Sequence, residues 1–194
     1  MFPARLIRGL ILVGIGVPVL AQEPLTGLTA YLHPPEGRVL TGTIRQRQYD
    51  DVRNEAGEVI LFAAKWIGVL TEREYVEVRQ DTIRTYRFAT KQVLVDSYDW
   101  DVFNIFQLLS GDFSRVTTLP PREDASRWEV PFEIPDEGLS GTVQIRKSDY
   151  RPLQVKVQYD PETSFTVRVD SARSPARRPA ELNGIPWEVI DLRE

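Results

Sequence analysis

Residues 127–134 read Arg127-Trp128-Glu129-Val130-Pro131-Phe132-Glu133-Ile134. Trp128, Val130, Phe132 and Ile134 fall on one side of an extended chain, and Arg127, Glu129 and Glu133 on the other. That period of two marks a strand with one face buried and one wet. It returns in residues 142–146, 153–159 and 163–169, which set Leu153, Val155, Val157 and Tyr159 on one side, then Phe165, Val167 and Val169. Gln154, Lys156, Gln158, Arg168 and Asp170 take the wet side. Pro152 and Pro161 mark turns, where a missing backbone donor costs little.

Toward the N-terminus the same period gives a long polar strand over 39–49. Residues 58–64 are apolar on both faces, with Val59, Leu61 and Ala63 against Ile60 and Phe62, as a central strand covered from both sides would be. Strands over 75–80, 82–88 and 92–97 follow as an antiparallel meander. A last strand, 187–192, comes after a loop rich in arginine and proline. Two segments have helical spacing. Leu28 and Leu32 predict a short helix over 26–32, stopped by Pro34-Pro35. Val102, Ile105, Phe106 and Leu109 predict a second over 100–111, with Asp101 as its cap and Gly111 as its stop. Phe103 and Leu108 widen that apolar stripe, so this helix needs cover on most of its surface. The fold expected is mainly β: a strongly curved antiparallel sheet, apolar on its concave face and charged on its convex face, with helices covering the concavity.

The first 21 residues have the organisation of an export signal: Arg5 and Arg8, an apolar stretch over 9–20, and Val19-Leu20-Ala21 before Gln22. An uncleaved anchor is the competing reading, but twelve apolar residues fall short of the roughly 20 that span a bilayer. The mature chain would be one domain, residues 22–194, in the periplasm. With no cysteine in the chain, it has no site for lipid attachment of the lipoprotein kind and relies on its core rather than on disulfides. Removing two arginines and no acid moves the formal charge from 24 − 28 = −4 to 22 − 28 = −6. Nucleic acid is therefore excluded as an expected partner, since binding it leaves a basic footprint.

No pattern of residues points to catalysis, and no cofactor is expected. His33, the only histidine, sits beside Pro34 without a companion ligand. Asp96, Asp99 and Asp101 lack the glycine and distal glutamate of a calcium loop. Glu129 and Glu133 fall on the wet face, where a carboxylate pair has no pocket, and the serines lack a glycine elbow. Arg173, Arg177 and Arg178 read as a solvated loop, with an acidic partner as the alternative.

The order of these parts resembles the LolA family of periplasmic lipoprotein carriers. The resemblance rests on the short N-terminal helix, Gly42-Thr43-Ile44-Arg45-Gln46, the Gly57-led apolar strand, and the hairpin containing Asp81-Thr82-Ile83-Arg84-Thr85-Tyr86. It continues through Leu108-Leu109-Ser110-Gly111 and the Arg151-Pro152-Leu153 entry to a late strand. It implies an unclosed β-barrel lidded by helices, whose cavity receives acyl chains of lipoproteins or another lipid. It also implies an inner-membrane lipoprotein-releasing transporter and an outer-membrane acceptor as partners of a monomer. Where many members carry an Arg-Pro pair that holds the lid shut, this chain has Ala63-Ala64.

Candidate lining residues are Trp128, Val130, Phe132, Val155, Val157, Phe165 and Val167 from the sheet, with Phe103, Phe106 and Leu109 from the helix. Two readings compete: a lipid or lipoprotein carrier with a cavity behind these side chains, and an envelope protein-interaction module in which they pack into a solid core.

Overall fold

A computed structural model describes residues 22–63 and 65–193; the expected export signal lies outside them. Helix α1 (Gln22–Leu32) begins four residues earlier than its apolar spacing predicts and ends where Pro34-Pro35 cannot continue it. Among the described residues, thirteen strands form one sheet that is not closed. They are β1 (Arg38–Gln48), β2 (Asp51–Ala63), β3 (Trp66–Thr71), β4 (Glu74–Arg79), β5 (Thr82–Arg87) and β6 (Gln92–Ser97), followed after helix α2 (Ile105–Leu109) by β7 (Thr117–Thr118) and β8 (Arg122–Glu123). The rest are β9 (Arg127–Ile134), β10 (Leu139–Arg146), β11 (Pro152–Gln158), β12 (Thr163–Arg173) and β13 (Glu188–Asp191). The spatial order is β13-β6-β5-β4-β3-β2-β1-β12-β11-β10-β9-β7, with β8 also on β9. All neighbours are antiparallel except β13, which lies parallel to β6.

Strands β7 and β8 have no counterpart in the sequence reading, and three further elements differ from expectation. Strand β2 starts at Asp51 rather than at 58, because a turn at Tyr49-Asp50 aligns Gln48 with Asp51 and the ladder runs unbroken to Arg38 opposite Leu61. Strand β3 is absent from the sequence reading, since Trp66-Ile67-Gly68-Val69-Leu70 is apolar on both faces and shows no period. Helix α2 is five residues long instead of twelve. Asn104, not Asp101, caps it: the Asn104 side chain accepts from the Phe106 N–H at 3.0 Å, and the Gln107 side chain accepts from the Asn104 N–H at 3.2 Å. Val102 stays outside the helix, 56% exposed. Gly111, as expected, takes the left-handed conformation (φ 75°) just past the helix end.

The concave face encloses the main core. Leu40, Val59, Leu61, Ile67 and Val78 from one half of the sheet meet Val130, Phe132, Val143, Ile145, Val157 and Val167 from the other, beneath Leu28, Leu32, Leu108 and Leu109 of the helices. Gly42 is required for the long β1–β12 pairing. The register shifts beside it, and a Cβ there would stand 1.8 Å from the Arg168 carbonyl oxygen.

The convex face is not uniformly charged. Val39, Ile60 and Tyr75 are buried on it together with Phe62, Leu70, Tyr86 and Phe88, under Ala176 and Leu182. Residues 174–187 lie across this face as a strap leading to β13. The arginine loop is tied to the sheet through Arg173 and Arg178, both of which stay about half exposed. Arg173 bonds Glu58 at 3.0 Å, and Arg178 bonds the buried Glu77 at 3.0 Å and the Tyr86 hydroxyl at 3.1 Å. Glu77 also accepts from Trp66 Nε1 at 2.9 Å, so this buried carboxylate has charged and neutral donors around it.

Candidate functional site

Strand alternation carries one row of side chains from the core to the open end of the barrel. Along β1 the inward row is Leu40, Gly42, Ile44, Gln46 and Gln48; along β2 it is Leu61, Val59, Gly57, Glu55 and Arg53. Both rows turn from apolar to polar as they leave the core. Between this part of the sheet and α2 lies a cavity of about 650 Å³. Its apolar wall is Ile44, Val69 and Val76 from the sheet, Phe165 from β12, and Ile105, Phe106 and Leu109 from the helix. Gln46, Gln48, Arg47, Arg53, Glu55, Thr71, Arg73 and Glu74 line its mouth. The mouth charges are mostly paired, Arg73 with Glu55 at 3.3 Å and Arg53 with Asp51 at 3.0 Å.

Helix α2 forms the cover and is tied down at both ends. At its start, the Tyr98 hydroxyl donates to the Asn104 side-chain oxygen that caps the helix. Burial pushes the Tyr98 phenol up to about 12. At its end, Thr29 of α1 donates to the Gly111 carbonyl at 3.1 Å, and His33 Nε2 donates to the Ser110 carbonyl. His33 thus has a hydrogen-bonding role at the lid. Ala63 closes β2 and, with Leu32, His33 and Pro34, lines a second space of about 280 Å³; Ala64 lies outside the described residues. Asp101, expected to cap the helix, instead donates its N–H to the Asp99 carboxylate at 2.8 Å.

Of the ten expected lining residues, Phe106, Leu109 and Phe165 border the cavity. Phe103, Val130, Phe132, Val155, Val157 and Val167 are buried in the close-packed core behind it. Trp128 is half-buried and stacks on Tyr150 at 5.3 Å. Sequence reasoning missed Ile44, Val69, Val76 and Ile105. Ile44 was legible as the last apolar member of an alternating row; Val69 and Val76 needed β3, and hence the inward phase of β4, to be placed first.

No family model matches the chain, and no curated protein does. Among solved structures, the chain is similar in fold to an uncharacterized conserved protein from Thermus thermophilus. The two are 13% identical with a TM-score of 0.56, over 90% of this chain and 99% of that one. Structural neighbours also include a LolA superfamily protein from Nitrosomonas europaea, at 11% identity and a TM-score of 0.41 over 80% of this chain and 93% of that one. LprF from Mycobacterium bovis is another, at 10% identity and a TM-score of 0.41 over 83% and 96%. The likeness to the Thermus thermophilus protein is one of fold alone.

Proposed function

We propose that this chain is an exported, non-catalytic carrier that takes acyl chains of lipoproteins, or of another lipid, into the cavity beneath α2. It would carry them through the periplasm from the inner to the outer membrane, receiving them from a lipoprotein-releasing transporter and delivering them to an outer-membrane acceptor. The observation that carries the reading is the cavity itself, with an apolar wall, a polar mouth and a short helix for its cover. Such a site needs no specific polar contact to hold a hydrocarbon. Ten methylenes moved out of water contribute about 8 kcal/mol, the size of a micromolar dissociation constant before the costs of ordering. Loading requires that α2 move, which would break the bonds at its two ends and draw Leu108 and Leu109 from the core.

The test is native mass spectrometry of the protein exported by its own leader and purified from a periplasm without detergent, followed by solvent extraction. A co-purifying lipid or acylated peptide supports the carrier. A bare mass, together with failure to take up a fluorescent fatty acid, overturns it in favour of an envelope protein-interaction module.

A further inference from the structure

We infer that the cavity takes a single-chain amphiphile: one acyl chain, with its polar head left at the mouth, and not the two or three chains of a diacyl lipid or a triacylated lipoprotein anchor. The inference rests on the carrier reading and narrows its cargo to the other lipid of that reading, setting lipoprotein anchors aside.

Capacity comes first. A methylene fills about the space of one water molecule in the liquid, about 30 Å³. The cavity of about 650 Å³ therefore holds roughly 20 methylenes when full. That is one chain of common membrane length; two such chains need about 1,000 Å³.

The walls limit expansion. Behind the cavity the barrel is solid, with Val130, Val143, Ile145 and Val157 wholly buried and Phe132 at 2% exposure. With α2 seated, a second chain would have to break open this core, where close packing leaves no void to enlarge. The smaller space beside α1 offers no annexe. It shares no lining residue with the main cavity, and at about 280 Å³ it is too small for a chain of that length.

The mouth is built for one polar head. Gln46, Gln48, Thr71 and Glu74 face the opening around the Arg73–Glu55 pair. They offer donors and acceptors of both kinds, where a bundle of emerging chains would need an apolar collar.

The experiment is a one-pot competition. The protein, stripped of ligand, is incubated with vesicles containing equimolar lysophosphatidylethanolamine, diacyl phosphatidylethanolamine and a triacylated lipopeptide, separated from them, and read by native mass spectrometry. The expected spectrum has one lysophospholipid per protein, in at least tenfold excess over either multi-chain species. A lysophospholipid series of increasing length should show a preferred length, and Val76→Phe, which fills part of the wall, should shorten it by roughly two carbons. Equal or preferential loading of the diacyl lipid or the lipopeptide overturns the single-chain inference while leaving the carrier reading in place. Loading with none of the three overturns both.

Discussion

The clearest contrast in this barrel is between two cross-strand partners, Val157 of β11 and Phe165 of β12. Val157 is wholly buried in the core, whereas Phe165 is half-buried and borders the cavity. Glutamate at the two positions should therefore have opposite effects. In Val157→Glu, lost apolar burial amounts to about 2 kcal/mol. Placing a carboxyl there raises its pKa by up to about 3–5 units, so it must take up a proton on folding, which adds about 3.5 kcal/mol at neutral pH. The sum, about 5–6 kcal/mol, is comparable with the roughly 5–15 kcal/mol that holds a whole domain together. With a urea dependence of about 2 kcal/mol/M, the midpoint should fall by about 3 M or the protein should fail to fold. In Phe165→Glu the carboxylate can turn to the wet mouth beside Thr163 and Ser164, so the loss should be only about 1–2 kcal/mol. Retention of a fluorescent fatty acid should nonetheless drop at least a hundredfold, because the chain would desolvate that charge. Urea titration followed by tryptophan fluorescence and a dye-retention assay read the two quantities separately. A Val157→Glu protein with the parental midpoint and lost retention would contradict this division of wall from core, since the cavity would then extend behind β11.

Arg178→Ala strands the buried Glu77 carboxylate; with Arg178 itself half exposed, the loss should be about 2–3 kcal/mol by urea titration, with acyl binding unchanged. Gly42→Ala forces a methyl against the Arg168 backbone and should lower stability by about 3 kcal/mol, since a strand carbonyl cannot swing aside. The Tyr98 phenol is raised in the fold from about 10 to about 12, so its protonated form is the one the fold favours. Its contribution is complete below pH 10 and is lost as the pH rises toward 12. Phenolate absorbance should show a late-titrating component absent from Tyr98→Phe, and ligand release should quicken over the same interval as the bond to Asn104 is lost.

How much could be read from the sequence follows from what each face touches. Strands β9 to β12 alternate cleanly because one side meets the close-packed core and the other meets water, so both the strands and their phase were legible. The first half of β2 carries Arg53 and Glu55 inward, where they meet the mouth rather than a core, and polar residues on both sides leave no period to detect. Strand β3 fails for the opposite reason: Ile67 lies in the main core while Leu70 packs on the convex side, and both faces are apolar. The lid was overextended because Val102 kept the spacing but lay outside the Asn104–Gln107 capping box. Void and core could not be separated at all from pattern, since Val157 and Phe165 share one phase. Only the position of α2 over one of them decides which wall is hollow.

The strap over residues 174–187 has a mechanical consequence. From β12 to β13 the sheet takes seven inter-strand steps, about 34 Å at 4.8 Å per step. Fourteen residues reach at most about 50 Å when fully extended, and the helical turn at Ala180–Leu182 shortens that reach. Because the strap runs along the outer circumference, tighter curling of the sheet would stretch it and flattening would slacken it. It would act as a tendon that resists inward collapse and yields to widening, a bias against an empty barrel closing on itself.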